Sequence, residues 1–215
     1  MKQKTIAVIG LGSIGQAVAT NLAKANRSFI AAGRNAVKTK EVAQKWGSVV
    51  KTSDIPTAVK EADILVLAIP FGGIATFMNE YAADLQGKII VDPSNPIAPD
   101  DKGGLKKIIG EKESAGEVNA AALPAGVKLV KALGTLSAGS LASAAFQKPE
   151  ANVLFYATDD TGIYDDVEQL ILDNGFEPVR VDGIDQSIRL EVFGDLHEYG
   201  ALGKTVTVTE AKRKL

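Results

Sequence analysis

The chain contains no cysteine and a single histidine, His197. Without thiols there are no disulfides, no thiolate metal sites and no cysteine nucleophile. One imidazole removes most metal sites and any nucleophile triad placed elsewhere in the chain, so no metal site is expected. An excess of charge of one sign is also missing, because 24 basic residues face 26 acidic ones, for a net charge of −2. No net field gathers nucleic acid or anionic lipid, and neither is expected as a main partner. No apolar run is long enough to span a bilayer, and the first apolar segment begins at Thr5, where a secretory leader would otherwise lie. The expectation is a soluble, cytoplasmic protein with no membrane partner. What is present is a chain of 215 residues, 46% of them hydrophobic, enough to bury a full core as one domain.

The most informative stretch is Thr5 to Gly15, an apolar run that breaks into Gly10-Leu11-Gly12-Ser13-Ile14-Gly15. A strand that ends in this glycine spacing and opens a helix is suited to a pyrophosphate. Gly10 allows the tight turn, Gly12 lets the phosphates approach the backbone, and Gly15 lets the helix pack close to the strand. The helix start then offers free N–H groups to the anion. Ile14, Val18 and Leu22 follow at helical spacing, so a helix over 13–24 is expected, and the bland alternative is a purely structural glycine turn.

A second strand, Phe29 to Ala32, leads into Gly33-Arg34-Asn35. An acid that would bind a free ribose 2′-hydroxyl is absent there. Arg34 instead lies 19 residues beyond Gly15, where a guanidinium pairs with a 2′-phosphate, aided by Asn35 and Lys38. This favours NADP(H) over NAD; the alternative is a solvated arginine. Further along, the pattern predicts a helix over 37–46 with Trp46 as a core plug, a strand over 48–51 and a helix over 56–62. The apolar run 64–69 reads as a strand covered on both faces, ending in Ile69-Pro70-Phe71, which either walls the nicotinamide side of a cleft or is a simple proline stop. A helix over 74–85 and a strand over 88–92 follow, then a proline-rich loop in which Asn95 is a candidate amide donor. Residues 100–110 read as a mobile surface excursion.

A helix over 114–123 and a strand over 128–133 come next. Thr135 and Ser137, just past that strand, either hydrogen-bond a ligand or cap the next helix. Two more strands, 153–157 and 177–181, flank a helix over 163–174. Residues 184–199 read as a last helix that sets Arg189, Phe193 and His197 on one face. His197 is a candidate proton donor, with a structural role as the alternative. Alternating strands and helices with short connections predict an α/β fold. The expected division is a Rossmann-like doubly wound parallel sheet over residues 1–182 and a small C-terminal helical extension over 183–215 that closes the cleft or forms a dimer interface.

Through IAVIGLGSIG, AAGRN, LAIP, IIVDPSNP and VKALGTLSA, the chain resembles the NADP oxidoreductases dependent on coenzyme F420, a deazaflavin, and their reductase-like relatives. The resemblance implies pyrophosphate and 2′-phosphate contacts at Gly10, Gly12, Gly15 and Arg34, and nicotinamide contacts at Ile69, Pro70 and Thr135. It also implies a homodimer. One departure is Gly134, where such enzymes commonly carry histidine or asparagine, and it implies an altered, more open acceptor site. The expected activity is hydride transfer between NADP(H) and a small-molecule planar acceptor of flavin, deazaflavin or quinone type. A non-catalytic NADP(H)-binding sensor or regulatory subunit is the alternative. A hydroxy-acid dehydrogenase is weaker, since there is no room for a long helical second domain.

Overall fold

The computed structural model describes residues 3–213. Strand β1 (Ile6–Ile9) is buried at all four positions, and the chain turns at once into helix α1 (Ser13–Lys24). Strand β2 (Phe29–Ala32), helix α2 (Ala36–Ala43), strand β3 (Val50–Ser53), helix α3 (Ile55–Glu61) and strand β4 (Ile64–Leu67) follow. Helix α4 (Ile74–Glu80) leads to strand β5 (Ile89–Asp92). A hairpin of strands β6 (Ile97–Pro99) and β7 (Leu105–Lys107) precedes helix α5 (Ala115–Ala121) and strand β8 (Lys128–Lys131). The chain closes with α6 (Ala138–Ser143), β9 (Val153–Tyr156), α7 (Tyr164–Asp173), β10 (Glu177–Arg180), α8 (Ser187–Leu190) and α9 (Val208–Ala211).

Six strands form one parallel sheet in the order β3-β2-β1-β4-β5-β8. Ala7 at its centre pairs with Ile30 on one side and Leu65 on the other. Strands covered by helices on both faces have no polar face, which explains the unbroken apolar runs of β1 and β4. One layer is built from α1, α6 and α7 packed on Val8, Val66 and Val91; the other packs Ala58, Met78 and Leu85 against Ile9, Leu65 and Leu67. Trp46 lies in the first layer, edge-on to Phe29, with its indole N–H on Thr20 Oγ1 at 3.0 Å. Strands β9 and β10 form a separate parallel pair, and Ala157 bridges back to Lys131 at the end of β8. The strand order reverses between β1 and β4, which opens a crevice beyond the carboxyl ends of the strands.

Two expectations from the sequence are corrected. The segment 100–110 is an ordered turn and strand, with Ile97 opposite Lys107. Its turn is held by the Asp100 carboxylate, which accepts from the N–H groups of Lys102 and Gly104 at 2.8 and 2.7 Å. The segment 184–199 is not one helix. After the single turn of α8 the backbone is extended at Glu191 and left-handed at Phe193, with φ of 76°. The chain doubles back on itself, so that Leu196 N–H reaches Arg189 O at 2.9 Å. Arg189 pairs with Asp195, Phe193 is exposed and His197 is buried, so the three share no face. Helical spacing was a poor guide there because Gly194 and Gly200 permit backbone contacts that any side chain would block.

Candidate functional site

The glycine turn between β1 and α1 has three distinct environments. Gly10 has φ of 92°, and a Cβ on it would lie 2.5 Å from the carbonyl oxygen of Ala68 in the strand-end loop of β4. A Cβ on Gly15 would be driven into the carbonyl oxygen of Gly10. These two glycines are demanded by the fold. Gly12 is different, since a Cβ there meets nothing within 4 Å. It is the N-cap of α1 and offers no side chain to the first helical N–H groups. Open space at Gly12 in front of unpaired helix amides is the shape and polarity an anion requires.

That space continues into a cleft of about 390 Å³ along the carboxyl edge of the sheet. Gly12, Ser13 and Ile14 form one end, Ile69, Pro70 and Phe71 one wall, and Asn95 part of the floor. Leu105 from the hairpin, Val192, His197 and Tyr199 supply the far side. Leu11 is packed partly into the core beside them and its carbonyl accepts from Gln16 Nε2 at 2.9 Å. At the end of β2, Arg34 and Lys38 are exposed, and no ion pair engages Arg34 among the described residues. Asn35 caps α2, its Oδ1 accepting from Lys38 N–H at 3.0 Å. These three residues stand outside the cleft, around the start of α2.

The far side of the cleft is fixed by polar contacts that sequence reading did not find. The Asn95 amide bridges three segments: Nδ2 donates to Gly134 O at 3.0 Å and Oδ1 accepts from Val192 N–H at 2.7 Å. Lys131, almost fully buried, donates to Asp92 Oδ2 at 3.1 Å and to the Ser94 carbonyl, and lies 3.8 Å from Glu191 Oε1. Asn119 Nδ2 donates to Asp92 as well, at 2.9 Å. The two oxygens of Glu191 accept from the N–H groups of Ala115 and Gly116 at the start of α5, each at 3.0 Å. Burial pushes the Glu191 carboxyl above the usual range, against the pull of Lys131 and those amides. An aspartate ending the apolar run of β5 and a lysine following Leu129 and Val130 in β8 were the available signal for this network.

Thr135 is buried outside the cleft lining and its carbonyl accepts from Glu198 N–H at 3.1 Å. Ser137 caps α6 through Ser140 N–H, and its own N–H donates to the Glu198 carboxylate. Burial opposes the charge on Glu198, but hydrogen bonds from Ser140 and Ser137 and the nearby His197 outweigh it, leaving the carboxyl below its ordinary value. His197 Nδ1 accepts from Tyr199 N–H at 2.9 Å, and the ring also meets the Gly134 carbonyl. Burial pushes the imidazole down to about 4, with smaller opposing pulls from Glu198 and that carbonyl. His197 is therefore neutral near pH 7. Gly134 does not open the site. A Cβ there would lie 2.5 Å from the Pro93 carbonyl oxygen, so the loops after β5 and β8 already fill the space a side chain would need.

A parallel sheet in this order, with a glycine turn and a cleft at the point where the order reverses, defines a Rossmann-like fold. Residues 5–96 match the family model of the coenzyme F420-dependent NADP oxidoreductases. It is 30% identical over 103 residues to the F420-dependent NADP reductase of Methanocaldococcus jannaschii, an alignment covering 43% of this chain and 46% of that enzyme. The curated relatives it matches are aligned over only 21% to 46% of their length. Among solved structures, a hypothetical protein of Sinorhizobium meliloti superposes with a TM-score of 0.82 at 28% identity, covering 95% of this chain and 96% of that one. A reductive aminase of Aspergillus terreus in complex with NADPH shares the fold with a TM-score of 0.59 at 18% identity, over 86% of this chain and 57% of that one.

Proposed function

We propose that the chain is an NADPH-dependent oxidoreductase that passes hydride between NADP(H) and a planar small molecule of flavin, deazaflavin or quinone type. The observation that carries this reading is the open space at Gly12, set before the unpaired amides of α1 and continuous with the cleft. In this reading the amides of Ser13 and Ile14 hold the pyrophosphate. Arg34, Lys38 and the start of α2 hold the 2′-phosphate, which selects NADPH. Ile69, Pro70 and Phe71 wall the nicotinamide and keep water from it. The nicotinamide supplies the hydride chemistry when bound, so the chain's own share is orientation and desolvation, and no acid–base cluster is needed. His197, neutral and engaged on Nδ1, holds the far wall in place in this reading.

The test is the absorbance of reduced nicotinamide in purified protein challenged with free flavin, a deazaflavin and a soluble quinone. Saturable oxidation by one of them is expected. Tight NADPH binding that no acceptor discharges would transfer the weight to a nucleotide sensor, a reading favoured by the absence, among the described residues, of a free acid or base facing the cleft. Phe193 and Tyr199 are 53% and 55% exposed, and these two aromatic surfaces support a homodimer through the C-terminal residues. Sedimentation at micromolar concentration tests that pairing, and a strictly monomeric protein would refute it.

A further inference from the structure

The charges behind the far wall of the cleft are unbalanced. Asp92, Glu191 and Glu198 are three buried carboxylates, and Lys131 is the one ammonium among them. Even with a proton on Glu191, one negative charge remains in excess. Glu198 lies directly behind the cleft lining, because Ser137, whose N–H it receives, and its chain neighbours His197 and Tyr199 all face the cleft. On that side Ile97, Leu105, Leu136 and Val192 offer carbon, Asn95 bonds through both ends of its amide and His197 is neutral, while the unpaired Ser94 hydroxyl and the Tyr199 phenol are the polar groups that remain. Among the described residues no arginine or lysine lines the cleft. On the hairpin, Lys107 is spent on the carbonyls of Glu111 and Glu113, and the alternation of strand β7 points Lys106 away from the side that Leu105 presents.

We propose that the acceptor end of the cleft takes an uncharged planar ring and discriminates against acceptors that carry a phosphate or other anionic group. The inference rests on the oxidoreductase reading and selects within it. A flat apolar ring is favoured by burial against these walls. An anionic substituent enters a cleft with the Glu198 carboxylate fixed behind its lining and, among the described residues, no lysine or arginine on that lining to receive it. In the oxidoreductase reading the phosphates lie at the opposite end, at Gly12, with Arg34 beyond it outside the cleft, so the cleft runs from an anion-binding end to an anion-rejecting one.

Riboflavin and FMN share a ring and differ by one phosphate, so their binding isolates the effect. Protein saturated with NADP+ is titrated with each, and flavin fluorescence quenching gives the dissociation constants without turnover. Riboflavin is expected to bind about 10-fold more tightly than FMN at low salt, the scale of one incompletely screened charge repulsion, with the ratio shrinking as salt rises. Glu198→Gln keeps an acceptor for Ser137 N–H and removes the charge. It is expected to bring the ratio close to 1 by tightening FMN while leaving riboflavin within about twofold. Equal or tighter binding of FMN in the parent protein, binding of neither flavin, or a ratio unchanged by both salt and Glu198→Gln would overturn the proposal. Failure of NADP+ itself to bind would instead refute the oxidoreductase reading.

Discussion

Gly12 and Gly15 look alike in sequence, yet their substitution should separate binding from stability. Gly12 has φ of −71° and ψ of −165°, ordinary values for any L-residue, and its missing Cβ faces empty space. Replacing it by alanine loses a favourable helix N-cap at a cost of about 1 kcal/mol or less, which lowers Tm by roughly 2–4 °C in a chain of this size. The new methyl group stands where the pyrophosphate must approach. Loss of one charge-assisted backbone contact, about 1.5–3 kcal/mol, weakens NADPH binding by roughly 10-fold to 150-fold. In Gly15→Ala the methyl group meets the Gly10 backbone, which cannot yield without disturbing the contact between Gly10 and Ala68. Overpacking of this kind costs about 3 kcal/mol or more, or roughly 6–12 °C in Tm. Calorimetric titration with NADPH and thermal unfolding of both variants decide the matter. A Gly12→Ala protein that binds NADPH like its parent, or that loses as much Tm as Gly15→Ala, would refute the assignment of that space to the cofactor.

Other consequences can be measured separately. Arg34→Ala should leave Tm unchanged, since the side chain is exposed and outside every ion pair of the described residues, while weakening NADPH by about 10-fold to 150-fold and NADH hardly at all; equal losses for the two nucleotides would sink it. His197 has a folded value near 4, below its unfolded value, so its contribution is present above pH 6.5 and is lost as pH falls toward 4, by roughly 3 kcal/mol at most. Urea unfolding from pH 7 to pH 4 should therefore show a flatter stability profile for His197→Gln than for the parent, and parallel profiles would count against it. Lys131→Met leaves Asp92 and Glu191 buried without their cation and should cost about 3–5 kcal/mol, read as a large fall in Tm, whereas an unchanged Tm would show that the network contributes little.

The parts of the molecule that were legible in the sequence are those dictated by local rules. Apolar runs such as Ile6 to Ile9 and Ile64 to Leu67 have no solvent face, so they announce buried parallel strands, and the glycine spacing announces its turn. The segment after β10 was illegible for the opposite reason. Its conformation is set by distant partners, with Glu191 drawn to the start of α5 and to Lys131, and Val192 to Asn95. Helical spacing carries no information about such contacts. Gly134 was misread on similar grounds: glycine reports equally an empty space and a crowded one, and only the position of Pro93 tells them apart. Residues 100–110 read as a mobile excursion because their polar, glycine-bearing turn outweighs the three residues of β7.

Apart from Asn95 and His197, which line the cleft as well as bracing it, the side chains that hold its far wall are not the ones that shape it. Asp92, Asn95, Lys131, Glu191 and Glu198 fasten the last part of the chain to the sheet, while Leu105, Val192 and Tyr199 meet whatever enters. Fastening and tailoring are thus separate inheritances. A lineage can exchange the three tailoring residues one at a time, with the cofactor end and the fasteners untouched, and so explore new acceptors without passing through an unfolded intermediate. Variation within such a lineage should gather at those three positions, leaving the five fasteners to change only together.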